Sequence, residues 1–276
     1  MDFDLKDCKV RLAQTSDSAD LSAIARTIWG GGDYLPNVMQ RWIAEPWFFV
    51  CEYRSQVIAC IKLSLFPDNV LWIEGLRVHA RFQGKGIGNL LNKHIFAFAA
   101  ELKNRNPSLS FEFCTYYKNS ESLHMTQKMG FRITERFFEY DKRGIKATLK
   151  PEIVTAYDMS LFKAYPRHIP LGWQSVHNHP ASLEFIKDRA LVFRTPQSTY
   201  LLGGVAEKNV VLLSPPVPDF KSEFPYFQYF FGSRKKYGII LSSAFESHLP
   251  RLFKLGLHSW EKEEKPVPVV LVGQKN

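Results

Sequence analysis

Two hydrophobic periods follow one another in the first half of the chain. The run VLWIEGLRV, residues 70–78, is densely apolar and predicts a strand, while Ile87, Leu90, Leu91, Ile95, Phe98 and Leu102 recur at intervals of three and four. That second spacing stacks side chains along one face of a helix. Between them lies a glycine-rich turn, QGKGIG, residues 83–88. Upstream, residues 10–12 predict a first strand, and Ser16-Asp17-Ser18 can cap a helix running to Trp29 with Leu21, Ile24, Ala25 and Ile28 on one face. Three glycines, 30–32, end it, and Pro36 opens a second helix carrying Val38, Met39, Trp42 and Ile43. Residues 47–53 and 57–66 predict a hairpin closed by Arg54-Ser55-Gln56, and strand, helix and strand follow at 109–117, 120–129 and 131–140.

From 151 onward the same kinds of element return without the glycine turn. Helices are predicted at 159–165 and 180–187, and strands at 191–195, 199–205 and 210–214. A long helix-like stretch then leads to a strand at 237–242, and a last strand follows at 267–272. Lys254-Leu255-Gly256-Leu257 echoes Lys128-Met129-Gly130-Phe131 at an offset of 126. Where the first half has HARFQGKGIG the second has SPPVPDFKSE, and prolines in place of glycines remove the N–H donors of the turn.

A strand feeding a glycine turn at a helix start makes an anion site, because several backbone N–H groups and the helix dipole converge there. The spacing separates the phosphate loops this could be. A Walker loop needs Ser or Thr after Gly-Lys, whereas Gly84-Lys85 is followed by Gly86. A dinucleotide loop needs an acidic residue about twenty positions on, and NRNPSLSFEFCTYY supplies none at the right place. Two readings remain open: a phosphate loop of another class, and a plain helix-capping turn.

Gln83-x-x-Gly86-x-Gly88, preceded by Leu76-Arg77-Val78, resembles the coenzyme A signature of the GNAT acetyltransferases. NSESLHMTQKMGF, residues 119–131, is similar to that superfamily's second motif, with Asn119, Ser122, Met125, Lys128, Gly130 and Phe131 on the expected positions. The resemblance implies an α/β (α+β) GNAT fold, a central mixed sheet flanked by helices. Two tandem domains are expected: a catalytic one over 1–148, and over 151–276 a degenerate GNAT-like one that lacks the coenzyme A loop, the alternative being an unrelated α/β domain. It implies acetyl-CoA as co-substrate, held by Leu76, Arg77, Val78, Gln83, Gly84, Lys85, Gly86, Ile87, Gly88 and Asn119. A backbone amide at Arg77 or Val78 is expected to polarise the thioester. In this fold the turn between the first two helices overhangs the acceptor, which makes Asp33 and Tyr34 the substrate-binding candidates; the alternative for Asp33 is a helix cap.

Two catalytic candidates follow. Glu74 is the single acidic residue on its strand, and strict alternation puts it on one face with Trp72, Leu76 and Val78. A carboxylate in an apolar setting is expected to titrate high, as a base requires, against the alternatives of a salt bridge or an acceptor contact. The usual leaving-group acid of the family is a tyrosine at the position occupied here by Thr126, a far weaker acid. Tyr116 or Tyr117 is the substitute, Tyr117 being preferred, or the thiolate leaves unaided. His79, His94 and His124 receive no role. The GGGDYLP turn and a second domain of this size look like the histidine N-acetyltransferase-like branch, which suggests a free amino acid or small amine as acceptor. The readings from other classes are a non-catalytic acyl-CoA sensor and an acetyltransferase acting on a protein or tRNA.

Charge and composition narrow this little. The chain has 276 residues, 45% hydrophobic and 23% charged, the profile of a folded protein. The net charge of +9 suits a polyanionic coenzyme, but its densest clusters, Lys142-Arg143 and Arg234-Lys235-Lys236, are short, so nucleic acid is not the expected partner. Cys8, Cys51, Cys60 and Cys114 lie in strand-like runs without ligand spacing, so no metal site and no disulfide is expected. A charged N-terminus and the lack of an apolar run long enough to span a bilayer make the cytoplasm the expected compartment, with no membrane partner. The assembly expected is a monomer whose two halves form a pseudo-dimer, or a homodimer.

Overall fold

The computed structural model describes residues 3–204, 208–259 and 267–275. By its contacts the chain divides into two compact units, residues 1–113 with 276, and residues 114–275. The first comprises β1 (Cys8–Leu12), α1 (Ser18–Arg26), α2 (Leu35–Ala44), β2 (Phe48–Tyr53), β3 (Gln56–Phe66), β4 (Val70–Val78), α3 (Ile87–Arg105) and the start of β5 (Ser110–Tyr116). Its strands lie in sequence order, antiparallel throughout except that β4 and β5 run parallel. A parallel pair needs a crossover, and α3 provides it. The expected helix to Trp29 stops at Arg26, and a 3-10 turn, Trp29–Gly31, follows.

Two helical layers cover this sheet. Phe98 and His94 of α3 lie against Phe49 of β2, with ring centroids 5.4 and 4.9 Å apart. Phe49 is the cross-strand partner of Ile61, and the residues alternating with Ile61, namely Cys60 and Lys62, face the other way, toward the α1–α2 side. There Leu21, Ile24, Val38 and Trp42 are buried, and each such side chain contributes about 1.5–3 kcal/mol by leaving water.

A bulge in β4 shapes the site. Lys62 pairs with Glu74 but Cys60 pairs with Arg77, so Gly75 and Leu76 together oppose Ile61. Gly75 has φ +69, and a Cβ there would lie 2.5 Å from Cζ3 of buried Trp42, so only glycine fits. The extra residue breaks the alternation assumed from the sequence. Cross-strand partners share a face, so Glu74 lies with Trp72 and Arg77, opposite Ser64, Lys62 and Cys60, and not with Leu76 and Val78.

The second unit holds the end of β5, α4 (Ser120–Lys128), β6 (Arg132–Arg143), β7 (Glu152–Val154), the hairpin β8 (His168–Pro170) and β9 (Ser175–His177), and α5 (Ser182–Arg189). It continues with β10 (Leu191–Arg194), β11 (Thr199–Gly203), β12 (Asn209–Leu212), α6 (Phe224–Tyr229), β13 (Lys236–Ser242), α7 (Leu249–Lys254), β14 (Leu257–His258) and β15 (Val270–Lys275). Strands β7, β10, β11, β12 and β13 neighbour one another in that order, with only the last pair parallel. That is the order of β1 to β5. Gly130 after α4 and Gly256 after α7 end their helices with φ +87 and +85, at the offset read from the sequence. The core of this unit is aromatic, built on Phe193, Tyr200, Phe220, Phe224 and Phe227.

Some expected elements differ. The helix over 159–165 is a 3-10 turn, Met159–Phe162, and the stretch before β13 holds a 3-10 turn, Phe220–Glu223, and the short α6, with Pro225 in its first turn. The hairpin β8–β9 was not foreseen, and Val205 lies outside the described residues. The contacts divide the chain within β5, ahead of the 148–151 boundary. The reason is that β6 draws its strand partners, β13, β14 and β15, from the C-terminal half. Among the described residues, no helix is long and apolar enough to cross a membrane.

Candidate coenzyme and acceptor site

The turn between β4 and α3 leaves a row of donors open. Gly84 and Gly86 have φ +73 and +82, the left-handed region open to glycine, and Gly86 caps α3. The carbonyl of Gly86 accepts from Leu90 N–H at 3.0 Å, so helical bonding starts there. Among the described residues, none of the amides from Gly84 to Asn89 donates to a protein acceptor. A Cβ on Gly84 would meet nothing within 4 Å, and Gly84, Lys85 and Gly86 are exposed. The row is therefore open to an anion, and the α3 dipole favours one.

The remaining loop residues fix the turn in place. Gln83 Nε2 donates to the Val78 carbonyl at 3.1 Å, tying the loop to the end of β4, and buried Ile87 packs in the core, so it has only its amide to offer. Leu76 Cδ2 lies 4.0 Å from the Cβ position of Gly88. Lys85 Nζ sits over the Phe3 and Phe82 rings, 5.0 and 5.5 Å from their centroids, which holds its charge beside the row. The β4–β5 register ends at Ile73 and Phe113, so Glu74 to Val78 of β4 lie beyond the stretch that pairs with β5.

On the other face of β4 stands a closed ion pair. Both oxygens of Asp33 accept from the Arg77 guanidinium, Oδ2 from Nε at 2.5 Å and Oδ1 from Nη2 at 3.3 Å, and Oδ1 also accepts from Leu35 N–H at 3.0 Å. The Asp33 side chain has 0% exposure. The free carboxylate expected at Asp33 for a substrate ammonium is thus already taken, and the helix-cap alternative is present as the Leu35 bond. Arg77 is held between two rings, 4.6 Å from the centroid of Trp29 and 5.1 Å from that of Tyr34. Tyr34 does stack, but on Arg77. Burial raises the pKa of its phenol, with the Arg77 charge acting in the opposite direction. The Arg77 side chain is therefore structural, and only its main chain is open to a coenzyme role.

Glu74 keeps polar company. Ser64 Oγ donates to its Oε1 at 3.3 Å, and Lys62 is its cross-strand partner. The apolar setting expected from Leu76 and Val78 is absent. Lys62 is 1% exposed, and its Nζ donates to the carbonyls of Pro46 at 2.6 Å and Leu63 at 3.2 Å and lies 3.4 Å from Glu45. Burial lowers its pKa, while the nearby Glu45 and Glu74 charges oppose that shift. Sequence reasoning missed Lys62 and Trp29. A lone cation inside VIACIKLSLF, opposite the strand's single carboxylate, was the signal for the first; Trp29 gave none, because it read as the end of a helix.

In the second unit, Tyr117 N–H donates to the Val269 carbonyl at 3.0 Å and its ring meets that of Tyr116 edge-on at 5.0 Å. Asn119 Oδ1 accepts from Ser122 N–H at 3.1 Å, capping α4. The Thr126 hydroxyl donates back to the Ser122 carbonyl at 2.7 Å, so it is committed to its own helix. The proline-rich bend presents the reverse chemistry of the glycine turn. Its carbonyls at Pro216 and Val217 accept from Arg251 Nη2 at 2.8 and 3.0 Å, and a guanidinium occupies a place where an anion would need amides.

The family model for acetyltransferase (GNAT) matches residues 20–131, the stretch that holds β2 to β5, the glycine turn and α4. Residues 20–131 form a GNAT domain. Within the chain, a stretch of 96 residues is 32% identical to an uncharacterized N-acetyltransferase of Chlorobaculum tepidum, covering 34% of this chain and 62% of that protein. A stretch of 102 residues is 30% identical to a histidine N-acetyltransferase of Oreochromis niloticus, covering 36% of this chain and 29% of the relative. The fold likeness runs further than the GNAT domain. A GCN5-related N-acetyltransferase from Sphaerobacter thermophilus superposes with a TM-score of 0.63 at 13% identity, over 98% of this chain and 95% of that one. A candidate acetyltransferase from Thermoplasma acidophilum gives 0.66 at 16%, over 97% and 99%. At such identity these two show shared architecture along the whole chain, and nothing of the substrate.

Proposed function

We propose that residues 1–148 bind acetyl-CoA and transfer its acetyl group to the amine of a small molecule, with a free amino acid such as histidine as the acceptor class. The observation that carries this reading is the open row of amides from Gly84 to Asn89 at the start of α3, inside the GNAT domain. Those amides would take the diphosphate of the coenzyme, and Lys85 would add charge. Acetyl-CoA supplies an acyl carbon activated by its thioester. The amine lone pair forms the new C–N bond as the C–S bond breaks. A backbone amide of Arg77 or Val78 stabilises the charge that develops on the carbonyl oxygen. The amine proton passes to Glu74 or to a water that Glu74 holds, and the departing sulfur takes a proton from Tyr117 or from solvent. Thr126 has no part in this, since its hydroxyl bonds its own helix. Tyr34 and Trp29 bound the acceptor side, and Asp33 acts through Arg77 rather than on the substrate. Residues 151–276 are read as a degenerate copy, a reading supported by the repeated strand order and by the Arg251-filled bend.

A thiol-release assay with acetyl-CoA against amino acids, polyamines and aminoglycosides tests the proposal. Turnover is expected on at least one amino acid, with Glu74→Gln slower by about 10²–10⁴-fold. Full activity of that variant at every pH removes Glu74 as the base. Tight coenzyme binding without turnover on any amine replaces the enzyme by an acyl-CoA sensor.

A further inference from the structure

The two basic clusters that are far apart in the sequence meet in the second unit. Antiparallel pairing of β13 with β6 sets Lys236 directly opposite Arg143, and β14 on the other side sets His258 opposite Asp141. Cross-strand partners share a face, and so do residues two apart on one strand, which puts Arg143, Lys236, Asp141 and His258 on one face of β6. Together with Lys235 they line a cavity of about 710 Å³. Asp141 accepts from Lys236 Nζ at 2.7 Å. Among the described residues, neither Arg143 nor Lys235 has a carboxylate within ion-pair distance.

Like charges placed directly opposite on neighbouring strands destabilise a sheet, and here the Lys236 ammonium turns to Asp141. Gly144 N–H donates to the Lys235 carbonyl at 2.8 Å, and a Cβ on Gly144 would come within 2.3 Å of the Arg234 carbonyl oxygen. Glycine alone permits that approach, so the 234–235 backbone is clamped to the end of β6. An open pocket with an excess of cations and a volume in the range of small-molecule sites suits a compact anion. Nucleic acid would require a longer basic stripe with stacking rings, and among the described residues His258 is the one ring lining the cavity.

We propose that this cavity binds a diphosphate-bearing small molecule of nucleotide size, at a site separate from the coenzyme turn. The test is calorimetric titration of the full chain with inorganic pyrophosphate and with ADP, repeated on Gly86→Val, in which the coenzyme turn is disabled. Two sites are expected in the unmutated chain and one in Gly86→Val, and in that background Arg143→Gln with Lys235→Gln is expected to weaken the remaining one by about tenfold per cation removed. Both side chains are exposed, so the double variant should keep its melting temperature, which a thermal melt checks. Pyrophosphate binding that disappears in Gly86→Val, or that is unchanged in the double variant, overturns the proposal. So does a short single-stranded RNA that displaces both probes.

Discussion

Gly86→Val is expected to lose at least a hundredfold in affinity for acetyl-CoA, read by calorimetry. Gly86 has φ +82, and a β-branched residue held there costs about 1–2 kcal/mol. Space is not the obstacle, because an added Cβ would make an ordinary contact, 3.5 Å from Leu5 Cδ2. The variant instead relaxes toward negative φ, which turns the amides of residues 86–88 away from a common point. A diphosphate that needs several of them at once loses most of its hold. The melting temperature should fall by only a few degrees, since the loop is exposed. Retained affinity would show that the turn merely caps α3.

Asp33→Asn should be the most destabilising polar substitution in the first unit. It keeps the bond to Leu35 N–H but removes the negative charge beside a nearly buried guanidinium, whose side chain is 10% exposed. Breaking one side of a buried pair costs about 3–5 kcal/mol, which lowers the melting temperature by on the order of 10 °C. A scanning melt checks this. If Asp33 bound the substrate ammonium instead, the melt would stay near wild type and only KM for the acceptor would rise.

Much of the fold was legible because its signals are local. The 3.6-residue period of α3, the glycines of the turn and the apolar run of β4 each declare one element, and the echo between Gly130 and Gly256 survives as matching left-handed helix ends. The site was harder to read because it depends on partners far apart in sequence. Gly75 read as one more residue of a regular strand, yet the bulge it permits reverses which side chains accompany Glu74. Asp33 and Arg77 each read as a residue aimed at a ligand; only the fold shows that they satisfy one another across 44 residues. The basic clusters read as short for the same reason: their strength comes from pairing β6 with β13.

A crystal structure of the full chain with coenzyme A bound tests the central claim most directly. The prediction is that diphosphate oxygens lie about 2.7–3.2 Å from amide nitrogens of residues 84–89. A diphosphate seated at the proline-rich bend filled by Arg251, or in the Arg143 and Lys235 cavity with the glycine turn untouched, would contradict it.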